Sequence, residues 1–293
     1  MTSPAISVSN MTKKYGSQEV VKGISFCVEK GEIFGFLGPN GAGKTTSIRM
    51  IIGEIPATCG EISIFNNPVP AAINSIKQLI GVVPDYQNLY DRLSVRHNLD
   101  FFAKLNNVAE TRIDEVLEEV FLTEHQHKAC KDLSRGLRQR ALIARGLLHR
   151  PSVFFLDEPT SALDPHSAML IRELVNKLRN NGTTVFLTTH YMEEADCLCD
   201  RLAIMNRGTI VACGKPEELK KQFGRRSVKV ELTGKNGPES REFSIDDDGE
   251  KNQMAELLKT CRIIKLHTQE ARLEEVFLKV TGDAWKPDQE EAA

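Results

Sequence analysis

The sequence predicts an α/β fold: a parallel sheet covered by helices on both faces, followed by a small C-terminal α/β appendage. Three observations carry that prediction. Short apolar runs alternate with helical patterns between residues 153 and 205, an apolar run at 33–37 leads through a glycine-rich loop into a helix, and polar punctuation breaks the pattern after about residue 222.

Val153–Leu156, Thr184–Thr189 and Leu202–Met205 read as strands. Their apolar runs are unbroken, as expected where both faces of a sheet are buried. The helix between the first two carries Leu170, Ile171, Leu174, Val175 and Leu178 on one face, with Asp164 as its N-cap and Pro165 as its first residue. Upstream, Ile113, Val116, Leu117, Val120 and Phe121 recur at helical spacing, and a further helix is expected from Gly136 to His149, with Leu142, Ile143 and Leu147 inward. Ile6–Val8, Ser25–Val28 and Glu61–Ile64 are strand-like fragments near the N-terminus. After residue 222, strands at Val228–Leu232, Phe243–Ile245 and Ile263–Leu266 and helices at Met254–Thr260 and Leu273–Val280 form the appendage, residues 227–282; an acidic tail, 283–293, follows.

The bulk composition narrows the function. With 41% hydrophobic residues and a net charge of -2, the chain can bury a core but has no overall field for nucleic acid. No stretch approaches the ~20 apolar residues of a transmembrane helix, and residues 1–10 do not resemble a signal peptide, so any membrane role must come through a partner. The 7 cysteines form no CxxC pair and are expected to be free thiols. His125, His127 and Cys130 are close in sequence but lack a fourth ligand for a metal.

The chemistry sits in two segments. Gly38, Pro39, Asn40, Gly41, Ala42, Gly43, Lys44 and Thr45 satisfy the phosphate-loop pattern, with Thr46 next in line. Its glycines let backbone N–H groups point at phosphates, and the following helix adds its positive end. Lys44 is placed to reach the β- and γ-phosphates, and the Thr45 hydroxyl suits Mg²⁺, a hard cation that prefers oxygen. The second segment, Val153–Glu158, ends a buried strand in two carboxylates. Asp157 is placed to hold Mg²⁺ and Glu158 to polarise the water that attacks the γ-phosphate.

With those residues in view, the chain resembles the ATP-binding cassette (ABC) ATPases over about residues 4–222. Phe155–Asp164 is similar to their Walker B motif and D-loop, Leu133–Arg140 to the signature LSGGQ and the helix after it, and His190 stands where the family has its switch histidine. Tyr15 lies at the position of the aromatic that stacks on adenine, with a π-face to offer a purine. The resemblance implies a P-loop NTPase (RecA-like) core with an antiparallel β subdomain and an α-helical subdomain at about 88–150. It implies ATP and Mg²⁺ as ligands, with Glu158, His190 and Lys44 catalytic. It further implies a two-fold dimer of this chain in which each ATP lies between Gly38–Thr46 of one subunit and Ser134 and Gly136 of the other.

The sequence departs from the family pattern in two places. The signature carries Arg135 and Leu137 in place of a glycine and a glutamine, while Ser134 and Gly136 are kept. Asp85 replaces the glutamine of the Q-loop and is expected to serve the metal or the water; Gln87, two residues on, is the weaker substitute. These features, with His190–Asp196 and Leu273–Leu278, resemble ATP-binding subunits of drug-resistance-type exporters, whose integral-membrane permease is a separate chain. That implies a peripheral position on the cytoplasmic face of the membrane, with Leu89, Tyr90 and Leu93 candidates for the surface that meets the permease. The rival readings are a soluble ABC ATPase acting on nucleic acid or ribosomes, which usually carries tandem cassettes or a coiled-coil insertion, and a regulatory module that binds ATP without hydrolysing it.

Overall fold

The computed structural model describes residues 3–86, 89–224, 227–234, 237–269 and 271–282; Gln87 and the tail 283–293 lie outside them. The order is β1 (Ile6–Tyr15), β2 (Gln18–Val28), β3 (Ile33–Leu37), α1 (Lys44–Ile51), β4 (Cys59–Ile64), β5 (Asn67–Val69), α2 (Ile73–Leu79), β6 (Ile80–Val83), α3 (Val95–Leu105), α4 (Thr111–Glu119), α5 (Arg135–Leu147), β7 (Val153–Asp157), α6 (Pro165–Asn180), β8 (Thr184–Thr189), α7 (Met192–Leu198), β9 (Arg201–Asn206), β10 (Thr209–Gly214), α8 (Pro216–Phe223), β11 (Ser227–Gly234), β12 (Gly237–Ser244), α9 (Asp248–Thr260), β13 (Ile263–Gln269) and α10 (Leu273–Thr281).

The described residues pack as two compact units that divide after Cys213. α8 packs against α10 and so groups with the second unit.

In the first unit, the main sheet runs β10-β9-β3-β8-β7-β6, and the pairs β9–β3, β3–β8, β8–β7 and β7–β6 are parallel. Every residue of β3, β7 and β8 is buried, as the unbroken apolar runs required. A second sheet, β2-β1-β4-β5, is antiparallel. The two sheets share a core in which Phe26 of β2 stacks on Phe34 of β3, with centroids 5.5 Å apart, and meets Phe36 edge-on at 4.9 Å. Aromatic pairs at these spacings add to their area burial.

Where structure and sequence pattern differ, the reasons are local. β1 and β2 extend well beyond the fragments read from apolar residues. Irregular register along the pair and positive φ at Asn10 and Gly23 break the alternation that a pattern search needs. α4 stops at Glu119; Phe121 lies beyond it at φ 56 and is 52% exposed instead of facing inward. The Arg140 guanidinium donates to the carbonyls of Val120 and Phe121 and so occupies the backbone acceptors that follow the helix.

The second unit holds a sheet in the order β12-β11-β13, with antiparallel pairing throughout. Val228, Val230, Leu232 and Phe243 form its core, covered by Met254, Leu257 and Leu258 of α9.

Candidate functional site

Register builds the site. In the parallel pairing Leu37 lies opposite Thr189 and Asp157 opposite Thr188, so β3, β7 and β8 end at one level. The segments leaving them, Gly38–Lys44, Glu158–Asp164 and His190–Tyr191, therefore meet beyond the C-terminal edge of the sheet, where open α/β sheets bind ligands.

The loop from Gly38 to Gly43 is shaped by its glycines. Gly41 and Gly43 take φ 76 and 104, which side-chain-bearing residues reach only with strain. A Cβ on Gly38 would strike the Met205 carbonyl of β9. The Gly38 N–H donates to the Thr189 carbonyl at 3.3 Å, tying the loop to β8. α1 begins at Lys44 with no side-chain cap, leaving its first N–H groups for another acceptor.

Lys44 is only 4% exposed. Its ammonium donates to the carbonyls of Gly38 (2.8 Å) and Pro39 (3.2 Å) and lies 3.2 Å from Glu158 Oε1. The other oxygen, Glu158 Oε2, is 3.0 Å from His190 Nδ1. Burial alone would raise the Glu158 pKa. The hydrogen bond from His190 and the charge of Lys44 outweigh it and hold the carboxyl below the ordinary glutamate range. Asp157 goes the other way. Burial raises it, hydrogen bonds from Thr188 and Thr45 only partly offset that, and the charges of Asp85 and Glu158 add to the rise.

Thr45, Asp157 and Asp85 line one small cleft together with Val83, Pro84 and Tyr86. Of the residues singled out from sequence, the structure thus gathers Lys44, Thr45, Asp85, Asp157, Glu158 and His190. Tyr15, at the end of β1, is 51% exposed, and the Lys13 ammonium stands 5.0 Å from its ring centroid. Ser134 caps α5, accepting from the Leu137 N–H at 3.3 Å. Gly136 is buried against α6, where a Cβ would meet Ser167. Tyr90 packs edge-on to Phe101 at 5.2 Å, and both, with Leu93, remain exposed.

Pattern reading missed Thr188, which donates to Asp157 Oδ1 and accepts from the Glu158 N–H at 3.0 Å. Its position in an apolar strand hid it. No signal in the sequence marks it, because its role comes from pairing in register with Asp157, 31 residues upstream.

Residues 21–161 match the profile described as "ABC transporter". The chain is 37% identical to a Nod factor export ATP-binding protein I of Rhizobium meliloti, covering 96% of this chain and 89% of that one. It is 38% identical to a fluoroquinolones export ATP-binding protein of Mycobacterium tuberculosis (strain H37Rv; 94% and 93%) and 35% identical to the linearmycin resistance ATP-binding protein LnrL of Bacillus subtilis (strain 168; 94% and 98%). Among solved structures, cbiO1 of Clostridium perfringens, part of the ABC transporter complex cbiONQ, superposes with a TM-score of 0.68 at 28% identity, covering 75% of this chain and 91% of its own.

Proposed function

This chain belongs to the ABC transporter family, and from that premise we propose that it is an export subunit whose catalytic centre is Glu158, held between Lys44 and His190. It binds and hydrolyses ATP to power transport through a separate membrane subunit. The observation that carries the catalytic assignment is the placement of one carboxylate with an oxygen 3.2 Å from Lys44 and the other 3.0 Å from His190.

Lys44 and the N–H groups of Gly41, Gly43, Lys44, Thr45 and Thr46 are the donors for the phosphates, and Tyr15 is the platform for adenine. On ATP binding, Lys44 exchanges its carbonyl and Glu158 contacts for phosphate oxygens. Glu158, ionised and steered by His190, then accepts the proton of the attacking water. Thr45, Asp157 and Asp85 offer oxygen donors in one cleft, a set that fits Mg²⁺. When bound, Mg²⁺ would supply positive charge to the phosphate oxygens. Ser134 at the N-cap of α5 stands at a helix start, which favours anions, and with Gly136 is proposed as the edge that meets ATP held by a second copy.

None of the described helices is long and apolar enough to cross a membrane. We assign this chain to the cytoplasmic face of the membrane, peripheral through its permease, with Tyr90, Leu93 and Phe101 as candidate contacts. Two of the relatives named above are export ATP-binding proteins and the third a resistance ATP-binding protein, which favours this reading over a nucleic-acid ATPase. The test is to tag the Glu158→Gln chain, add ATP, purify it from solubilised membranes and identify what accompanies it. A stoichiometric multi-spanning protein is expected; recovery with only soluble protein or RNA would overturn the export reading.

A further inference from the structure

Glu158 has φ 49, and Ala162, four residues on, has φ 51. Non-glycine residues hold this left-handed conformation only where their surroundings over-determine it. One constraint is direct: the Glu158 N–H donates to both the carbonyl (3.2 Å) and the hydroxyl (3.0 Å) of Thr188. The second lies beyond Pro159. Thr160, 5% exposed, donates its hydroxyl to Glu194 Oε1 of α7 at 2.6 Å.

Glu194 is 0% exposed. Among the described residues its Oε2 has no hydrogen-bond partner, and the nearest cationic group, Arg172 Nε, stands 4.0 Å from Oε1. A buried carboxyl with an unmatched oxygen is a costly way to fill space, and a leucine would pack there without that cost. What the carboxyl supplies is a fixed acceptor for Thr160. Helix α7 is itself anchored to the end of β8, since the Tyr191 N–H just before it donates to Thr189 Oγ1 at 3.0 Å. His190 lies on that same connection.

We infer that Thr160 and Glu194 are positioning residues for hydrolysis: their hydrogen bond holds the strained turn after β7 in the conformation that aims Glu158, and locks that turn to the element following His190. The Glu158–His190 contact is thus braced twice, once directly and once through Thr160 and Glu194. This rests on Glu158 being the base.

The test uses the full chain as wild type and as Thr160→Val, Thr160→Ser, Glu194→Leu, Thr160→Val/Glu194→Leu and Glu158→Gln. Each is measured for kcat per titrated nucleotide site, KM for ATP, and melting temperature. Thr160→Val keeps the shape and deletes the donor, so kcat is expected to fall about tenfold or more with KM little changed; Tm falls as well, because the buried Glu194 carboxyl loses its donor, and it recovers in the double variant while kcat stays low. Thr160→Ser restores most of it. The double variant loses no more than the worse single, because both remove one bond. If kcat per site in Thr160→Val matches wild type, is not restored by serine, or recovers together with Tm in the double variant, the inference fails. Glu158→Gln turning over at the wild-type rate would remove its premise instead, an outcome separable from the others.

Discussion

The Lys44 ammonium and the Glu158 carboxylate lie 3.2 Å apart, so the cation proposed for phosphate and the base proposed for water neutralise each other in this structure. ATP must compete with Glu158 for Lys44, and winning that competition releases the carboxylate for its work. The pair is a partly buried one, and breaking it costs desolvation unless phosphate takes the place of the carboxylate at Lys44.

Replacing Glu158 with Gln removes both the base and the competitor. Turnover should fall by at least about a hundredfold, the lower range for loss of a general base. ATP binding should tighten, because Lys44 no longer starts in an ion pair and a negative charge near the phosphates is gone. Single-turnover hydrolysis and equilibrium ATP titration check the two halves separately; undiminished turnover would exclude Glu158 as the base.

His190 leads the interactions that lower Glu158's pKa against burial. Its loss leaves burial less opposed, so in His190→Ala the pKa must rise. The acid limb of kcat/KM, which reports the free enzyme, should therefore move to higher pH than in wild type. The same linkage governs stability. A depressed carboxyl contributes stability that is fully present above the ordinary glutamate value, about 4.3, and lost as pH falls through its lower folded value. His190→Ala shrinks that contribution, so its unfolding on acidification should begin at higher pH. An unshifted acid limb would show that the contact does not set the ionisation of Glu158.

Much of this site was legible because its groups are contiguous in sequence. Gly38–Thr45 and Asp157–Glu158 each carry their chemistry within a few residues, and apolar strands mark where they sit. Thr188 and Glu194 were not legible, because their roles depend on pairings far apart in the chain. Glu194 did leave a trace. It precedes Leu198 by four residues and adjoins Ala195, so it falls on the buried stripe of α7 while Glu193 is exposed. β1 and β2 were read too short because a half-solvated antiparallel pair with irregular register has little apolar periodicity. The boundary near 222 was read from loop composition, and the packing of α8 against α10 has no local mark.

Gly136 illustrates a structural demand within a functional segment. A Cβ there would sit 2.6 Å from the Ser167 Cβ, at the contact between the first turns of α5 and α6. Gly136→Ala should destabilise the chain by about 1–3 kcal/mol, the usual range for overpacking, seen as a Tm lowered by several degrees. Ser167→Ala removes the hydroxyl but leaves the Cβ, so it should rescue only in part, and Ser167→Gly should rescue further. A Gly136→Ala chain melting with wild type would mean that the helices separate freely at this point.

Asp85, which the sequence resemblance sets in place of a glutamine, lies in the cleft it shares with Thr45 and Asp157. Its charge contributes to the raised pKa of Asp157, which places the two carboxylates within electrostatic reach. Two like charges held together repel unless a cation sits between them, and a divalent cation gains from both. Asp85→Asn removes one charge at constant size. The Mg²⁺ concentration for half-maximal ATPase should rise roughly threefold to tenfold, equivalent to about 0.7–1.4 kcal/mol. Turnover at saturating Mg²⁺ should change much less, because the base and the phosphate donors are untouched. A Mg²⁺ titration that superposes on wild type would take Asp85 out of the metal's surroundings and leave Thr45 and Asp157 as its protein ligands.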